Sequence, residues 1–177
     1  MDFKRQKSQS GFTLIELLIT VVVLGVLIAL AAPSFFEILE RRKIVGATDL
    51  LHSDLLFAKT ETIKRNKVIR VAFKNKGTTN WCYGMKEEVT CDCTIANDCT
   101  IDGVERVVKA DDFPNTSATW AYSLGLDYTE FDALRGFANP IGSTTFSIGS
   151  ASAKITSSLQ GRVTICSDTA VGGYPSC

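Results

Sequence analysis

Residues 12–36 read FTLIELLITVVVLGVLIALAAPSFF, and this stretch decides how the chain is organised. Residues 17–36 hold twenty consecutive positions without a charged side chain. At a rise of about 1.5 Å per residue, a helix of that length spans about 30 Å, the thickness of the hydrocarbon core of a bilayer. The stretch therefore predicts a helix that can cross a membrane.

The segment before this span is short, polar and basic. Residues 1–11 read MDFKRQKSQSG, and their positive charge favours a cytoplasmic N-terminus, although the basic residues 41–43 on the far side keep the charge rule from being decisive. A secretory signal peptide has a shorter apolar stretch, of about 7–15 residues, followed by a small-residue cleavage site. Here the helical pattern continues past Pro33. A plain single-span membrane anchor is therefore a stronger alternative than a cleaved secretory signal peptide.

One carboxylate interrupts the apolar segment. Glu16 costs about 2.5–3.5 kcal/mol to insert, and such residues usually have a partner and a function. The span holds no lysine or arginine that could pair with it. If the chain is cut after Gly11, Phe12 becomes a cationic N-terminal amine, and a neighbouring subunit could present that amine to Glu16 at low dielectric. A plain anchor provides no such partner.

The string GFTLIE at residues 11–16 resembles the leader-peptidase site of type IV pilins and type II secretion pseudopilins. The resemblance implies that prepilin peptidase cleaves between Gly11 and Phe12 and methylates the new amine. It also implies that Glu16 neutralises the Phe12 amine of the adjacent subunit during assembly. Pro33 matches a family position where the helix can unwind in the filament; the plainer interpretation is a tolerated kink near the membrane boundary.

Beyond the span, the spacing of apolar residues changes from helical to strand-like. The pattern predicts one long helix over residues 12–64, whose second half is amphipathic. Short β-branched segments separated by Gly, Asn, Ser and Pro then predict strands. These segments are residues 68–73, 81–85, 105–109, 144–148, 154–156 and 161–166. The order predicts an α+β, pilin-like fold, with the long N-terminal helix packed on a mainly antiparallel sheet domain.

The chain divides on these grounds into a leader peptide (1–11), a transmembrane and assembly helix (12–36) and a periplasmic globular domain (37–177). The order helix, strand, WCYG strand, cysteine-rich loop and GRVTIC resembles minor pilins of the FimU/FimT type and H-type pseudopilins. By this resemblance the protein is held in the bacterial inner membrane, then enters the pilus on the cell surface. It would help to initiate or cap a pilus used in twitching, adhesion or DNA uptake.

The same resemblance implies that the partners are other major and minor pilins, prepilin peptidase and the inner membrane. Two alternatives stay open: an H-type minor pseudopilin of a type II secretion system, and a FimT-like DNA-binding pilin for natural transformation. A receptor or inhibitor domain on a simple anchor is a further class, which predicts no cleavage at Gly11.

All six cysteines follow the apolar segment: Cys82, Cys91, Cys93, Cys99, Cys166 and Cys177. An even set beyond a membrane anchor favours disulfides in an oxidising compartment. Zinc is the alternative, but the spacing C-x8-C-x-C-x5-C lacks CxxC pairs and the only histidine, His52, lies far upstream. Six cysteines allow 15 pairings. We expect Cys166–Cys177 to close the C-terminal loop, and we favour Cys82–Cys91 and Cys93–Cys99 for the others.

DNA binding has two candidate sites. FimT-like DNA receptors carry a C-terminal GRxRxR-type motif, of which only Arg162 remains here. The second candidate is the basic stretch 59–76, which includes Lys64, Arg65 and Lys67 and contains a single acidic residue. The stretch is either a solvated helix end with an edge strand guarded by charges, or a surface that tracks phosphates weakly.

The sequence does not indicate an enzyme. It contains no P-loop, no nucleophile elbow and no H-E-x-x-H motif. The adjacent acidic pairs at residues 87–88 and 111–112 point to opposite faces of a strand and are typical of surface charge. No cofactor or metal is predicted, and the net charge of zero favours neither a nucleic-acid binder nor a binder of acidic substrates.

Overall fold

The computed structural model describes residues 11–177, apart from the side chains of residues 32 and 33, so residues 1–10 of the predicted leader lie outside the described part. The described elements are one α-helix and ten strands: α1 (Leu14–Arg65), β1 (Ile69–Lys74), β2 (Cys82–Glu87), β3 (Thr100–Ile101), β4 (Val104–Glu105), β5 (Val107–Lys109), β6 (Ser117–Tyr122), β7 (Tyr128–Glu130), β8 (Gly142–Ile148), β9 (Ala151–Ser157) and β10 (Val163–Cys166). Two 3₁₀ turns lie at Ala110–Asp112 and Ser123–Gly125. The chain forms two compact units, up to Ile38 and Leu39–Cys177.

The first unit is the N-terminal part of α1. Thr13 caps the helix, because its Oγ1 accepts a hydrogen bond from the backbone N–H of Glu16 at 3.3 Å. The described side chains of this unit are all solvent-exposed although most are apolar. The helix is long and apolar enough to cross a membrane and continues through Pro33 without a break. Such a surface needs a lipid or protein covering.

The second part of α1 is amphipathic, as predicted. Ile44, Ala47, Leu51, Leu55 and Ala58 follow one another at intervals of three and four residues and are fully buried. This spacing places them on one face of the helix. They belong to the same core as the inward side chains of the sheets, so burial of this stripe holds the helix to the globular domain.

Two four-stranded antiparallel sheets form the rest of this unit. The first sheet has the order β5-β2-β1-β7, the second the order β10-β9-β8-β6, and β3 and β4 form a small separate hairpin. Strand β1 is paired with β2 on one side and β7 on the other, so the prediction of a charge-guarded edge strand here is wrong. Strands β3, β6 and β7 lie outside the predicted segments, and β9 is longer than expected.

Aromatic rings fill the space between the two sheets. Phe73 of β1 lies 5.4 Å from Trp120 of β6, measured between ring centroids. Trp81, just before β2, lies 4.9 Å from Phe146 of β8. Trp81 Nε1 also donates hydrogen bonds to Thr116, which satisfies the one polar group of this fully buried ring. The sheets are therefore joined by aromatic packing rather than by shared strands.

Three disulfides use all six cysteines: Cys82–Cys93, Cys91–Cys99 and Cys166–Cys177. The C-terminal pair is the expected one. The predicted pairs Cys82–Cys91 and Cys93–Cys99 are wrong. Cys82 stands at the beginning of β2, and the chain leaves that strand only after residue 87, so the returning loop brings Cys93 level with Cys82. Proximity in sequence was misleading because a straight strand intervenes.

The cysteine-rich loop packs so tightly on β2 that residue 84 has to be glycine. A Cβ at Gly84 would lie 2.7 Å from Cys99 Cβ and closer still to its Sγ. We expect Gly84→Ala to lower the free energy of unfolding by about 1–3 kcal/mol through overpacking, as measured by urea denaturation. In a chain that already carries Cys91→Ser and Cys99→Ser, the same methyl group should cost less. Equal costs in the two backgrounds would contradict the assignment.

Candidate functional site

The predicted processing and assembly motif lies at the beginning of α1. Gly11 and Phe12 precede the helix, and Glu16 lies in its first turn. Phe12 is 81% exposed, and the Glu16 side chain is exposed as well. Within residues 11–177 the Glu16 carboxylate has no ion-pair partner. The motif is therefore presented on a preformed helix with both of its reactive groups accessible.

Other polar side chains in the apolar segment are satisfied locally. Thr20 Oγ1 donates to the carbonyl of Leu17 at 2.8 Å, and Ser34 Oγ donates to the carbonyl of Ala31 at 3.0 Å. A hydroxyl group that bonds within its own helix loses little when lipid surrounds it. Glu16 is different, because a carboxylate cannot be neutralised by its own backbone.

The C-terminal loop is fastened to the second half of α1. Cys166–Cys177 closes it covalently, and Val171 within it is fully buried. Tyr174 donates a hydrogen bond from its hydroxyl to Asp49 Oδ1 at 2.7 Å, and Arg41 Nη1 donates to the carbonyl of Thr169 at 3.3 Å. Burial and the Asp49 carboxylate raise the pKa of Tyr174. The tail is thus an ordered part of the globular surface.

The basic stretch 59–76 is compensated by its own acidic residue, Glu61, and by acidic residues from elsewhere in the chain. Lys64 lies 3.3 Å and Arg65 2.6 Å from Glu61, and Arg65 also pairs with Asp102 at 2.6 Å. Further pairs join Lys67 to Glu87, Arg70 to Glu130 and Lys74 to Asp92. Hydrogen bonds from Arg65 hold the pKa of both Glu61 and Asp102 below the ordinary range. These cations are engaged with carboxylates rather than presented to phosphates.

Arg162 differs from these residues. It is exposed, directly precedes β10, and its guanidinium has no carboxylate partner in the described part of the chain. The structure therefore separates the four suggested DNA contacts into three ion-paired side chains and one free one. The sequence could not reveal most of this compensation, because the acidic partners other than Glu61 come from strands and loops up to 60 residues away.

One half-buried carboxylate links α1 to the first sheet. Tyr83 donates a hydrogen bond from its hydroxyl to Asp54 Oδ2 at 2.8 Å. Burial raises the pKa of the Asp54 carboxyl, and burial beside that carboxyl raises the pKa of Tyr83 as well. Residues 11–177 contain no cluster of three His, Cys, Asp or Glu side chains suited to a metal ion. The hydrogen bond between Tyr83 and Asp54 joins β2 to α1.

Comparison with known families decides what this arrangement is. The family model described as type II transport protein GspH matches residues 47–172 of the chain. The chain belongs to the GspH family. A second model, the prokaryotic N-terminal methylation motif, matches residues 6–32 and thus covers Gly11, Phe12 and Glu16. GspH-family proteins are structural pilins and pseudopilins, and the apolar N-terminal helix is that of a membrane-anchored pilin.

The fold of this GspH-family protein is shared with one solved structure that matches with a TM-score above 0.5. The type IV minor pilin FimU of Pseudomonas aeruginosa strain PAO1 matches with a TM-score of 0.52 at 15% identity, over 71% of this chain and 90% of FimU. A second crystal form of FimU gives a TM-score of 0.46 at 14% identity, over 68% of this chain and 90% of FimU. A search of curated proteins gave no match. The predicted pilin-like α+β fold is therefore confirmed.

Proposed function

We propose that this GspH-family protein is a minor pilin of a type IV pilus. In this proposal prepilin peptidase cleaves the chain after Gly11, the apolar helix holds the product in the inner membrane, and the subunit then helps to initiate or cap the pilus. The observation that carries the proposal is the methylation motif on the N-terminal part of α1, where the described side chains up to Ile38 are all solvent-exposed. Such a surface needs a covering, supplied first by lipid and then by other subunits.

Assembly follows from the charge of the motif. A cleaved chain carries a cationic amine at Phe12, and Glu16 has no charged partner in the described chain. In a lipid or filament interior, an isolated carboxylate is expensive and a paired one is much less so. The amine of an adjacent subunit supplies the counter-charge only when two subunits stand in the correct register. Pairing between Glu16 and Phe12 therefore favours ordered addition of subunits.

An H-type minor pseudopilin of a type II secretion system is the second candidate. The description of the matching family model favours it. The pilus is favoured by the fold shared with FimU, a type IV minor pilin. Both candidates use the same motif and the same helix, so they differ in the filament that is built and not in the chemistry of assembly.

Deletion of the gene in its own cell distinguishes the two. For a minor pilin, we expect surface pili recovered by shearing to fall at least about tenfold, with secretion of type II substrates unchanged; a full-length copy should restore the pili. Mass spectrometry of the restored strain should find Phe12 as the first, methylated residue in sheared fibres. Normal pili together with blocked secretion would show instead that the protein belongs to the type II secretion system. A subunit that retains residues 1–11 in the fibres would contradict both candidates.

A further inference from the structure

The outer face of the second sheet has an unusual composition. Alternation along β6, β8, β9 and β10 turns apolar residues inward and a different set outward. Two rows of this outward set, which we call the hydroxyl face, consist of Thr119, Ala121, Ser143, Thr145, Lys154, Thr156, Thr164 and Cys166; Ser117, Ser147 and Ser152 form a third outward row beyond them. It contains no carboxylate, no aromatic ring and no large aliphatic side chain. Solvated sheet faces ordinarily mix charges of both signs, so this composition calls for an explanation.

The register places these side chains in rows. Thr119, Thr145, Lys154 and Cys166 stand opposite one another across the four strands, and Ala121, Ser143, Thr156 and Thr164 form the next row. With strands about 4.8 Å apart, a row is about 15 Å long. Arg162 lies just before β10, at the end of the second row. Its backbone carbonyl accepts a hydrogen bond from the backbone N–H of Ser158. The face is thus flat and long enough for several units of a polymer.

The polar groups of this face are free to bind a ligand. The hydroxyls of Thr119, Ser143, Thr145, Thr156 and Thr164 make no hydrogen bond within the described chain. Lys154 and Arg162 have no carboxylate partner there, and neither does Lys76 at the rim. In contrast, four cations around the first sheet, Lys67, Arg70, Lys74 and Lys86, are ion-paired at distances between 2.6 and 3.4 Å. Free donors and acceptors beside unpaired cations provide complementarity to an anion that also carries hydroxyl groups.

A shallow depression marks one end of the face. It has a volume of about 280 Å³ and is lined by Lys76, Thr119, Trp120, Ala121, Ser143 and Thr145. The Trp120 side chain is buried in the core. The other residues that line the depression have small side chains, except Lys76, whose side chain is long and charged. Three hydroxyls and one ammonium group therefore converge on a space comparable with the lower end of small-molecule sites.

We propose that the hydroxyl face binds an acidic polysaccharide made of uronic acid units. One sugar occupies the depression, with its carboxylate against Lys76 and its hydroxyls against Thr119, Ser143 and Thr145. Further units extend across the strands toward Lys154 and Arg162, which receive the next carboxylates. Charge-assisted hydrogen bonds to the carboxylates give orientation, and the threonine and serine hydroxyls exchange hydrogen bonds with the sugar. The proposal is independent of which filament the subunit joins.

Nucleic acid fits the face less well. A duplex carries one negative charge per about 1.7 Å of its axis, whereas this face and its rim offer three cations spread over the width of a sheet. Single strands are held by stacking of bases on aromatic side chains, and the hydroxyl face has none. A polymer with one charge per sugar and several hydroxyls matches the spacing and the chemistry better.

The test uses the full-length chain in micelles of a non-ionic detergent, titrated with polygalacturonate by calorimetry. We expect binding to polygalacturonate, none to the neutral glucan dextran, and at least about tenfold weaker binding by the double variant Lys76→Gln/Lys154→Gln, because two charge-assisted contacts are lost. Lys109→Gln removes an exposed lysine of the other sheet and should leave the affinity within about twofold. Thermal unfolding of every variant should match that of the parent, since all three lysines are exposed or half-exposed.

Four results would overturn the proposal. They are absence of polygalacturonate binding, equal binding to dextran, an unchanged affinity in the double variant, and tighter binding to a 30-base-pair duplex than to polygalacturonate. The last would assign the face to nucleic acid. The variant Thr145→Val provides a test that does not depend on charge, because it keeps the side-chain shape and removes one hydroxyl. We expect it to weaken binding to polygalacturonate by about threefold, the effect of losing one neutral hydrogen bond.

Discussion

Glu16→Val should enter the inner membrane at the level of the parent chain and be depleted at least about tenfold from sheared fibres. Valine lowers the cost of inserting the helix, since a carboxylate in the span costs about 2.5–3.5 kcal/mol. In the proposed assembly, the same substitution removes the group that pairs with the Phe12 amine of a neighbouring subunit. A loss of 1.4 kcal/mol or more at this contact corresponds to a tenfold change in an equilibrium. Quantitative immunoblots of membrane and fibre fractions measure both effects.

Thr20→Val is the matched control for this substitution. It removes another polar group from the same apolar segment, but the Thr20 hydroxyl is already bonded to the carbonyl of Leu17. We expect normal insertion and normal recovery in fibres. If Glu16→Val enters fibres as well as Thr20→Val does, the charge-pairing mechanism fails, although the family membership of the chain stands.

Trp81→Ala should destabilise the globular domain by about 3–5 kcal/mol, the cost typical of truncating a large buried aromatic side chain. The ring is 1% exposed, lies 4.9 Å from Phe146 across the two sheets, and donates from Nε1 to Thr116. Its loss opens a cavity at the junction of the sheets and leaves Thr116 without that donor. Because a domain of this kind is stable by about 5–15 kcal/mol, the change consumes a large part of the margin. Urea denaturation followed by near-ultraviolet circular dichroism measures it.

Leu134→Ala provides the comparison for a side chain outside the core. Leu134 is 84% exposed, so its truncation should change the free energy of unfolding by less than about 0.5 kcal/mol. Trp81→Phe keeps most of the buried area but removes the hydrogen bond and part of the ring, and should fall between the two. A Trp81→Ala chain as stable as Leu134→Ala would show that the sheets are not held together by this ring.

Local patterns were enough to predict the helix and most strands. The helix predicted over residues 12–64 is α1 (Leu14–Arg65), because a long apolar run followed by apolar residues at intervals of three and four leaves few alternatives. The segment SATWAY was missed, although it alternates Ala118, Trp120 and Tyr122 inward. The outward positions of this segment hold small residues. The difference between its inward and outward residues, by which a strand is recognised in a sequence, is therefore weak. Strand β7, with three residues, is too short to show a period.

The surface was much harder to predict than the fold. Residues 59–76 are basic in sequence, yet Asp102, Glu87 and Glu130 neutralise them in space. Those acidic side chains arrive from three separate elements, and only the sheet register places them there. The hydroxyl face likewise has no sequence motif, since its residues come from four strands and share only their direction. Which side chains share a surface depends on how the strands pair, and local sequence does not encode that pairing.

The amino-acid sequence alone determined that this chain carries a pilin-type processing motif on a membrane-length helix, because that motif is contiguous and its chemistry depends on neighbours four residues apart. It also determined that the cysteines follow the membrane span. Only the tertiary structure decided that Cys82 bonds to Cys93, that β1 is an inner strand and that Arg162 is free while Lys64, Arg65 and Lys67 are paired. Each of these depends on groups brought together by antiparallel pairing over long chain distances, where the free energy of the whole core selects the register.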